Sequence, residues 1–309
     1  MPNANIYLGF DGGGTKTDCV AVDASGKMIG RGAAGPSNPL RVAYESAISA
    51  LETSASQAIH TAGTGRGSVA GVCAGLAGTA GPAVAARIAG SLVEMWPQAT
   101  VRVITDAEAA LSAAATTGPA VALIAGTGSI AIGRNGRGEI ARAGGYGPWI
   151  GDPGSAYEIG RRAAQAAALA SDGDGPPTSL TQHILKVLDC KGWAEVAAKI
   201  ATGPEAVFPR LFPIVVACAD KGDVASRSIL SRAAVDLAKL ALAVVGKLGL
   251  KDESFVLART GGVFRRTILL DHRVERLISH VCARAQIGPL TVSPALAAAR
   301  MAIRLAHQP

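Results

Sequence analysis

The sequence of 309 residues predicts an α/β protein built from two similar halves. Three observations carry that reading. Ile6 to Phe10 is an apolar run that meets Asp11, Gly12, Gly13, Gly14 and then Thr15-Lys16-Thr17, and a second apolar run, Cys19 to Val22, follows at once. This is the pattern of strand, tight glycine turn and strand. The arrangement returns about 115 residues later, where Ala120 to Ala125 runs into Gly126-Thr127-Gly128-Ser129 and then Ile130 to Gly133. Repetition of a whole arrangement is far less expected by chance than either loop alone. Finally, short apolar runs alternate with longer amphipathic stretches, which calls for a mixed sheet with helices on its faces.

Taken in order, Lys27 to Ala33 reads as a third strand after a turn at Ser25-Gly26. Gly35-Pro36-Ser37-Asn38-Pro39 breaks the pattern before a helix expected over 40–59. A strand over 68–75, a helix over 82–96, a strand over 101–105 and a helix over 107–115 complete the first half. Thr116-Thr117-Gly118-Pro119 is a plausible hinge, which sets domains at 1–118 and 119–293. The second half repeats strand, loop and strand, turns at Asn135-Gly136, and adds a strand over 139–143. Four helices are then expected, over 154–169, 179–188, 207–220 and 224–245. A buried strand over 254–258 leads through Thr260-Gly261-Gly262-Val263 into a helix over 264–283. A last strand near 290–292 precedes a terminal helix from Pro294.

Composition narrows the function classes. Apolar residues make up 49% and charged residues 17%, which describes a globular chain rather than a disordered one. The net charge of +7 is scattered, as in Arg161-Arg162 and Arg265-Arg266, and no basic stripe interleaved with aromatics is present. Small anionic ligands fit that pattern and nucleic acid does not. The five cysteines form no CxxC pair and the five histidines no HxH or HExxH spacing, so neither a disulfide framework nor a zinc site is expected. The longest apolar helical pattern, 233–250, is interrupted by Asp236, Lys239 and Lys247, and no signal-peptide core opens the chain. A cytoplasmic protein without a membrane span is the expectation.

The loops carry the chemistry. Glycine permits positive φ and lets backbone N–H groups approach an anion, while Thr15, Lys16 and Thr17 add hydroxyls and a charge. The first loop is not a Walker loop, nor a dinucleotide fingerprint, because strand rather than helix follows it. Asp11 at the strand end suits a hydrated magnesium ion. An ordinary glycine hairpin is the plain alternative. Gly144-Gly145-Tyr146-Gly147-Pro148-Trp149-Ile150-Gly151-Asp152 has the make-up of a wall around a sugar ring. Asn38 reads as a turn residue, Asp106 as a cap for a helix starting at Ala107, and Asp152 with Pro153 as a helix start. Tyr146 and Trp149 either stack on a ring or fill core.

With both glycine loops, Thr105-Asp106, Gly151-Asp152-Pro153-Gly154-Ser155-Ala156-Tyr157 and Thr260-Gly261-Gly262-Val263 in one order, the chain resembles N-acetylglucosamine kinases. More broadly it is similar to the family that joins them to the ATPase activators of benzoyl-coenzyme-A reductase, within the actin, sugar kinase and heat-shock chaperone superfamily. The resemblance spans nearly the whole chain. It implies two ribonuclease H-like α/β domains with an ATP-binding cleft between them, a helical insertion in the second, and a terminal helix, 294–309, that completes the first. By the same resemblance Gly12, Gly13, Gly14, Thr15 and Lys16 form the first phosphate loop, with Asp11 toward Mg2+. Gly126, Thr127, Gly128 and Ser129 form the second, and Gly261 and Gly262 flank the adenosine. Asn38, Asp106, Gly145, Tyr146 and Asp152 meet an amino sugar, and Asp106 is the general base for transfer to the 6-hydroxyl.

Three departures bear on the substrate. The residue after the second loop's serine is Ile130 where the kinases often carry a polar one, the loop aromatic is Tyr146 where Trp is usual, and Pro153 stands where an acid is common. Losing a polar partner near the ring relaxes the choice between N-acetylglucosamine and glucosamine. Kinases of this kind are often homodimers. An activator ATPase would need cysteine ligands for an iron–sulfur cluster, and Cys73 and Cys190 lack suitable neighbours. A nucleotide-dependent switch or sugar-sensing regulator without turnover is the alternative from another class.

Overall fold

The computed structural model describes residues 5–307, and the final two positions of the expected terminal helix lie outside the described residues. The first strands are β1 (Ile6–Gly12), β2 (Thr17–Val22) and β3 (Met28–Ala34), followed by α1 (Tyr44–Thr61), β4 (Val69–Leu76), α2 (Pro82–Met95), β5 (Thr100–Thr105) and α3 (Asp106–Ala114). There follow β6 (Ala120–Ala125), β7 (Ser129–Arg134), β8 (Ile140–Gly144) and the helices α4 (Ala156–Asp172), α5 (Leu180–Leu188), α6 (Trp193–Thr202), α7 (Pro204–Asp220) and α8 (Val224–Leu248). The chain ends with β9 (Phe255–Thr260), α9 (Ile268–Val281), β10 (Ala285–Pro289) and α10 (Pro294–Ala306).

Contacts divide the chain into two compact units, one reaching to Thr117 and taking back the segment from Leu290, the other running from Gly118 to Pro289. Each unit holds a five-stranded sheet, in the orders β3-β2-β1-β4-β5 and β8-β7-β6-β9-β10. Strand for strand the two orders are the same. In each, the first strand pairs antiparallel with the second and parallel with the fourth, so β1 and β6 are central. A central strand is covered on both faces and needs a continuous apolar run, which Ile6 to Phe10 and Ala120 to Ala125 supply. The loops leaving β1 and β6 therefore take equivalent positions within their own units.

In the first unit one face of the sheet packs Leu8, Phe10, Leu51, Leu76 and Leu92. The other face packs Tyr7, Val20 and Cys73 against Ala295, Ala298, Ala299 and Ala302 of α10. The second unit has one large core in which α8 lies on the sheet and α4 to α7 pack in turn on α8 and on one another. Among the described residues, no helix is long and apolar enough to cross a membrane.

Several boundaries differ from the sequence reading. α1 starts at Tyr44, not near residue 40, because the segment after Asn38 turns first. α6 is absent from the sequence reading although Trp193, Val196 and Ile200 recur at helical spacing and all pack on the core, Val196 alone being fully buried; the helical period was there to be read. α9 begins at Ile268 rather than 264, since Val263 and Phe264 are buried in the turn that precedes it. The last strand is Ala285–Pro289 and not 290–292.

Candidate active site

The first loop is organised around Gly13. Its N–H donates to the Lys16 carbonyl at 3.0 Å, and its carbonyl accepts the N–H groups of Ser37 at 3.1 Å and Asn38 at 3.2 Å. The segment after β3 is thus bound to the turn after β1. Thr17 reinforces the join by donating to the Gly35 carbonyl and the Ser37 hydroxyl, each at 2.8 Å. A side chain at Gly12 would collide with Ser37, which explains the first glycine of the run. At Gly13 an added Cβ would meet nothing nearer than 3.9 Å, so the space over the turn is open. Among the described residues, no backbone carbonyl accepts from the N–H groups of Gly14 or Thr15. An open turn with spare donors fits a phosphate group.

Two of the expected donors are otherwise engaged. The Thr17 hydroxyl is buried in the join with Ser37, and the Lys16 ammonium is paired with Asp18. Asp18 was not foreseen. It stands directly opposite Asp11 in the β1–β2 ladder and also pairs with Arg31 at 3.1 Å. Burial works against its charge, but the bonds from Lys16 and Arg31 prevail and hold its carboxyl below the usual range. Asp11 goes the other way. Burial, then the nearby charges of Asp106 and Asp18, raise it to about 6 against the pull of Lys16. A carboxylate kept among acids is suited to a divalent cation, and Mg2+ needs only one or two carboxylates because it keeps several waters.

Asp106 opens α3, but it is not the cap. Thr105 accepts the Glu108 N–H at 3.2 Å while the Glu108 carboxylate accepts the Thr105 N–H at 2.8 Å, a reciprocal capping box. The Thr-x-x-Glu spacing was the signal in the sequence. Asp106 sits in the first turn with its carboxyl raised by burial, partly offset by the N–H groups of Ala107 and its own backbone. Asn38 realises its turn reading, since its side-chain oxygen accepts the Leu40 N–H at 2.9 Å.

The second unit builds its loop in the same way. Gly126 donates to the Gly128 carbonyl at 2.9 Å, and the N–H groups of Ala156 and Tyr157 reach back to the carbonyls of Gly126 and Thr127 at 2.9 and 3.3 Å. Ser129 is buried and donates its hydroxyl to the Pro153 carbonyl at 2.8 Å, so it braces the loop, while Thr127 is exposed. The space over Gly126 is open.

Asp152 is not a helix cap either, because Ser155 caps α4. It is buried at φ 57°, a left-handed conformation that Asp tolerates better than most residues. Its carboxylate lies so close to the loop that a Cβ on Gly128 would stand 2.6 Å from its Oδ2. Gly145 has φ 70°, and Ile130 fills the space beneath it, 2.7 Å from where a Cβ would be. Ile130 supports that loop. Tyr146 and Trp149 are exposed, at 56% and 75%, which removes the core-filling alternative for both. Gly261 has φ 108° and packs on the Ala125 carbonyl, which also accepts the Val263 N–H at 3.0 Å. The turn after β9 therefore rests on the strand that feeds the second loop, and Gly262 is open.

Two units of one strand order, each with a glycine loop after its central strand, define the two-domain actin-like ATPase and sugar kinase fold. Residues 8–294 match the BadF/BadG/BcrA/BcrD ATPase family, and the chain belongs to that family. It is 33% identical to the N-acetyl-D-glucosamine kinase of Dictyostelium discoideum, over 96% of this chain and 98% of that one. It is 30% identical to the N-acetylmuramic acid/N-acetylglucosamine kinase of Clostridium acetobutylicum, over 88% and 93%. The crystal structure of a Chromobacterium violaceum protein assigned as an N-acetylglucosamine kinase superposes with a TM-score of 0.77 at 24% identity, covering 99% of this chain and all of that one.

Proposed function

We propose that the protein is an ATP-dependent amino-sugar kinase that phosphorylates N-acetylglucosamine or glucosamine on the 6-hydroxyl, with Asp106 as general base. The observation that carries the reading is the Thr105–Glu108 capping box, which leaves the Asp106 carboxyl at the end of β5 without a capping duty, in the electrostatic field of Asp11. The relatives named for N-acetylglucosamine and N-acetylmuramic acid support an amino sugar as acceptor.

In this reading Gly12, Gly13, Gly14, Thr15 and Lys16, with Gly126, Thr127, Gly128 and Ser129, form the phosphate loops. The spare N–H groups and Thr127 bind phosphate oxygens, while Ser129 and the Lys16–Asp18 pair keep the loops in shape. Asp11 holds hydrated Mg2+, and Gly261 and Gly262 admit the adenosine. When bound, ATP supplies the phosphoryl group and Mg2+ neutralises its charge. Asn38, Gly145, Tyr146 and Asp152 orient the sugar. Asp106 accepts the hydroxyl proton as the sugar oxygen forms its bond to phosphorus and the bond to the leaving ADP breaks. Because Ile130 is taken up in supporting Gly145, its apolar character does not by itself deny the site an N-acetyl group.

ADP release with Mg2+ is to be measured against N-acetylglucosamine, glucosamine, N-acetylmannosamine, N-acetylmuramic acid and glucose, with the product mass recorded. A 6-phosphate of an amino sugar is expected. Tight ATP binding with no stimulation by any sugar would overturn the kinase reading in favour of a nucleotide-dependent switch.

A further inference from the structure

Beyond the loops, one concave feature of the second unit has no part in the reading above. A cavity of about 400 Å3 lies between α8 and α9, lined by Arg227, Ser231, Leu269, His272, Arg273 and Arg276. Three arginines, Arg227, Arg273 and Arg276, line it. Among the described residues none of the three is in an ion pair. The acids on the same helix are spent elsewhere: Asp271 and Glu275 accept from Arg259 at 3.3 and 3.1 Å. Arg227 is anchored through its Nε to the Ala219 carbonyl at 2.8 Å, which leaves the other end of its guanidinium to the cavity. The Nε of Arg273 is buried and has no hydrogen-bond partner.

Like charges gathered without a counter-charge are unfavourable, and a buried donor without an acceptor adds to that cost. Both are relieved by one ligand that is anionic and rich in acceptors. A carboxylate offers two oxygens and one charge, which is few for three guanidiniums. A phosphate monoester offers three oxygens and close to two charges, in a geometry that arginine matches bidentately. Ser231 adds a hydroxyl, and Leu269, which is 44% exposed, adds an apolar wall for the body of the molecule.

We propose that the α8–α9 cavity is a binding site for a small phosphate monoester, such as a sugar phosphate, distinct from the phosphate loops. The proposal does not rest on the kinase reading, because binding is measured without turnover. Isothermal titration of the full chain is made with inorganic phosphate and with glucosamine 6-phosphate, each with and without a saturating non-hydrolysable ATP analogue. Both probes are expected to bind, the sugar phosphate more tightly, and both to keep binding when the analogue is present. Arg273→Gln/Arg276→Gln is expected to weaken binding at least tenfold. Ser231→Glu, which places a carboxylate among the arginines at a half-buried position, should do the same and serves if the double variant does not fold. Absence of binding, equal binding by a folded variant, or loss of binding once the ATP analogue is in place would each overturn the proposal. The last result would assign the cavity to the nucleotide's own site.

Discussion

Asp106 shows how a neighbour decides what a carboxylate can do. Thr105 takes the capping bonds and Glu108 returns them, so Asp106 is not the cap of α3, and on the proposed reading its carboxylate is the base. Asp106→Asn keeps shape and helix but cannot accept a proton. Turnover should fall about 10²- to 10⁴-fold while the dissociation constants for ATP and sugar stay within a few-fold, as read by steady-state kinetics and equilibrium titration. Unchanged turnover would remove Asp106 from the chemistry. Asp11 carries a stability consequence. Its carboxyl is raised in the folded chain from 3.8 to about 6, so the folded state binds that proton more tightly than the unfolded state does. The stability that Asp11 contributes is therefore fully present below the unfolded value and is lost as pH rises through about 6. Asp11→Asn removes that cost, on the order of 1–2 kcal/mol after solvent screening. In chelator at about pH 7.5 the variant should melt a few degrees above the parent, and the gap should close by about pH 4. A gap that ignores pH would contradict the account. At Gly128 a methyl group must displace the Asp152 carboxylate. Gly128→Ala should raise KM for the sugar about tenfold or more, by the roughly 1.4 kcal/mol of a displaced contact, with the melting temperature little changed; an unaltered KM would take Asp152 away from the substrate.

At the level of elements, β1 and α10 are fitted to one another by the absence of side chains. A Cβ on Gly9 would run into the Ala295 carbonyl and the Ala299 backbone, while α10 itself presents Ala295, Ala298, Ala299 and Ala302. Because both colliding groups are backbone, Gly9→Ala has no flexible side chain to push aside. It should cost about 1–3 kcal/mol, seen as a lowered melting temperature, and it should impair turnover as well, since β1 carries the first loop. A variant as stable as the parent would show that α10 can shift freely. The same elements show what sequence could reveal. β6 was legible because a covered strand must be an apolar run, and its limits, Ala120–Ala125, are those the run gives. β10 was not: Ala285-Gln286-Ile287-Gly288-Pro289 is half exposed at the edge of its sheet and leaves no apolar signature. The glycine loops were legible because glycine marks backbone that a side chain would block. The parts played by Asp18, Ser37 and Ser129 were hidden, because each is fixed by a partner on another strand or segment, Asp11 and Arg31, Thr17, and Pro153 respectively.

For the molecule as a whole, the repeat of one strand order is uneven in how each copy is finished. The second unit closes on itself within Gly118 to Pro289, and its α4 to α8 supply a core made entirely of its own segments. The first unit is completed only by the segment from Leu290, which follows the second unit in the chain. One face of its sheet, with Tyr7, Val20 and Cys73, is covered by α10 from the far end of the chain. Contacts of that sequence separation form late and demand a large closure entropy. A chain ended after Pro289 should therefore bare that face while leaving the second unit's core intact. Limited proteolysis of this truncated protein should leave a protected fragment close to 118–289 and digest the residues before it, whereas the full chain should protect both units. Equal protection of both halves in the truncated chain would mean that the first sheet holds without its last helix. The expected outcome instead makes the docking of α10 the step that completes the sheet bearing Asp11, so that the glycine loop after β1 acquires its geometry only once α10 is in place.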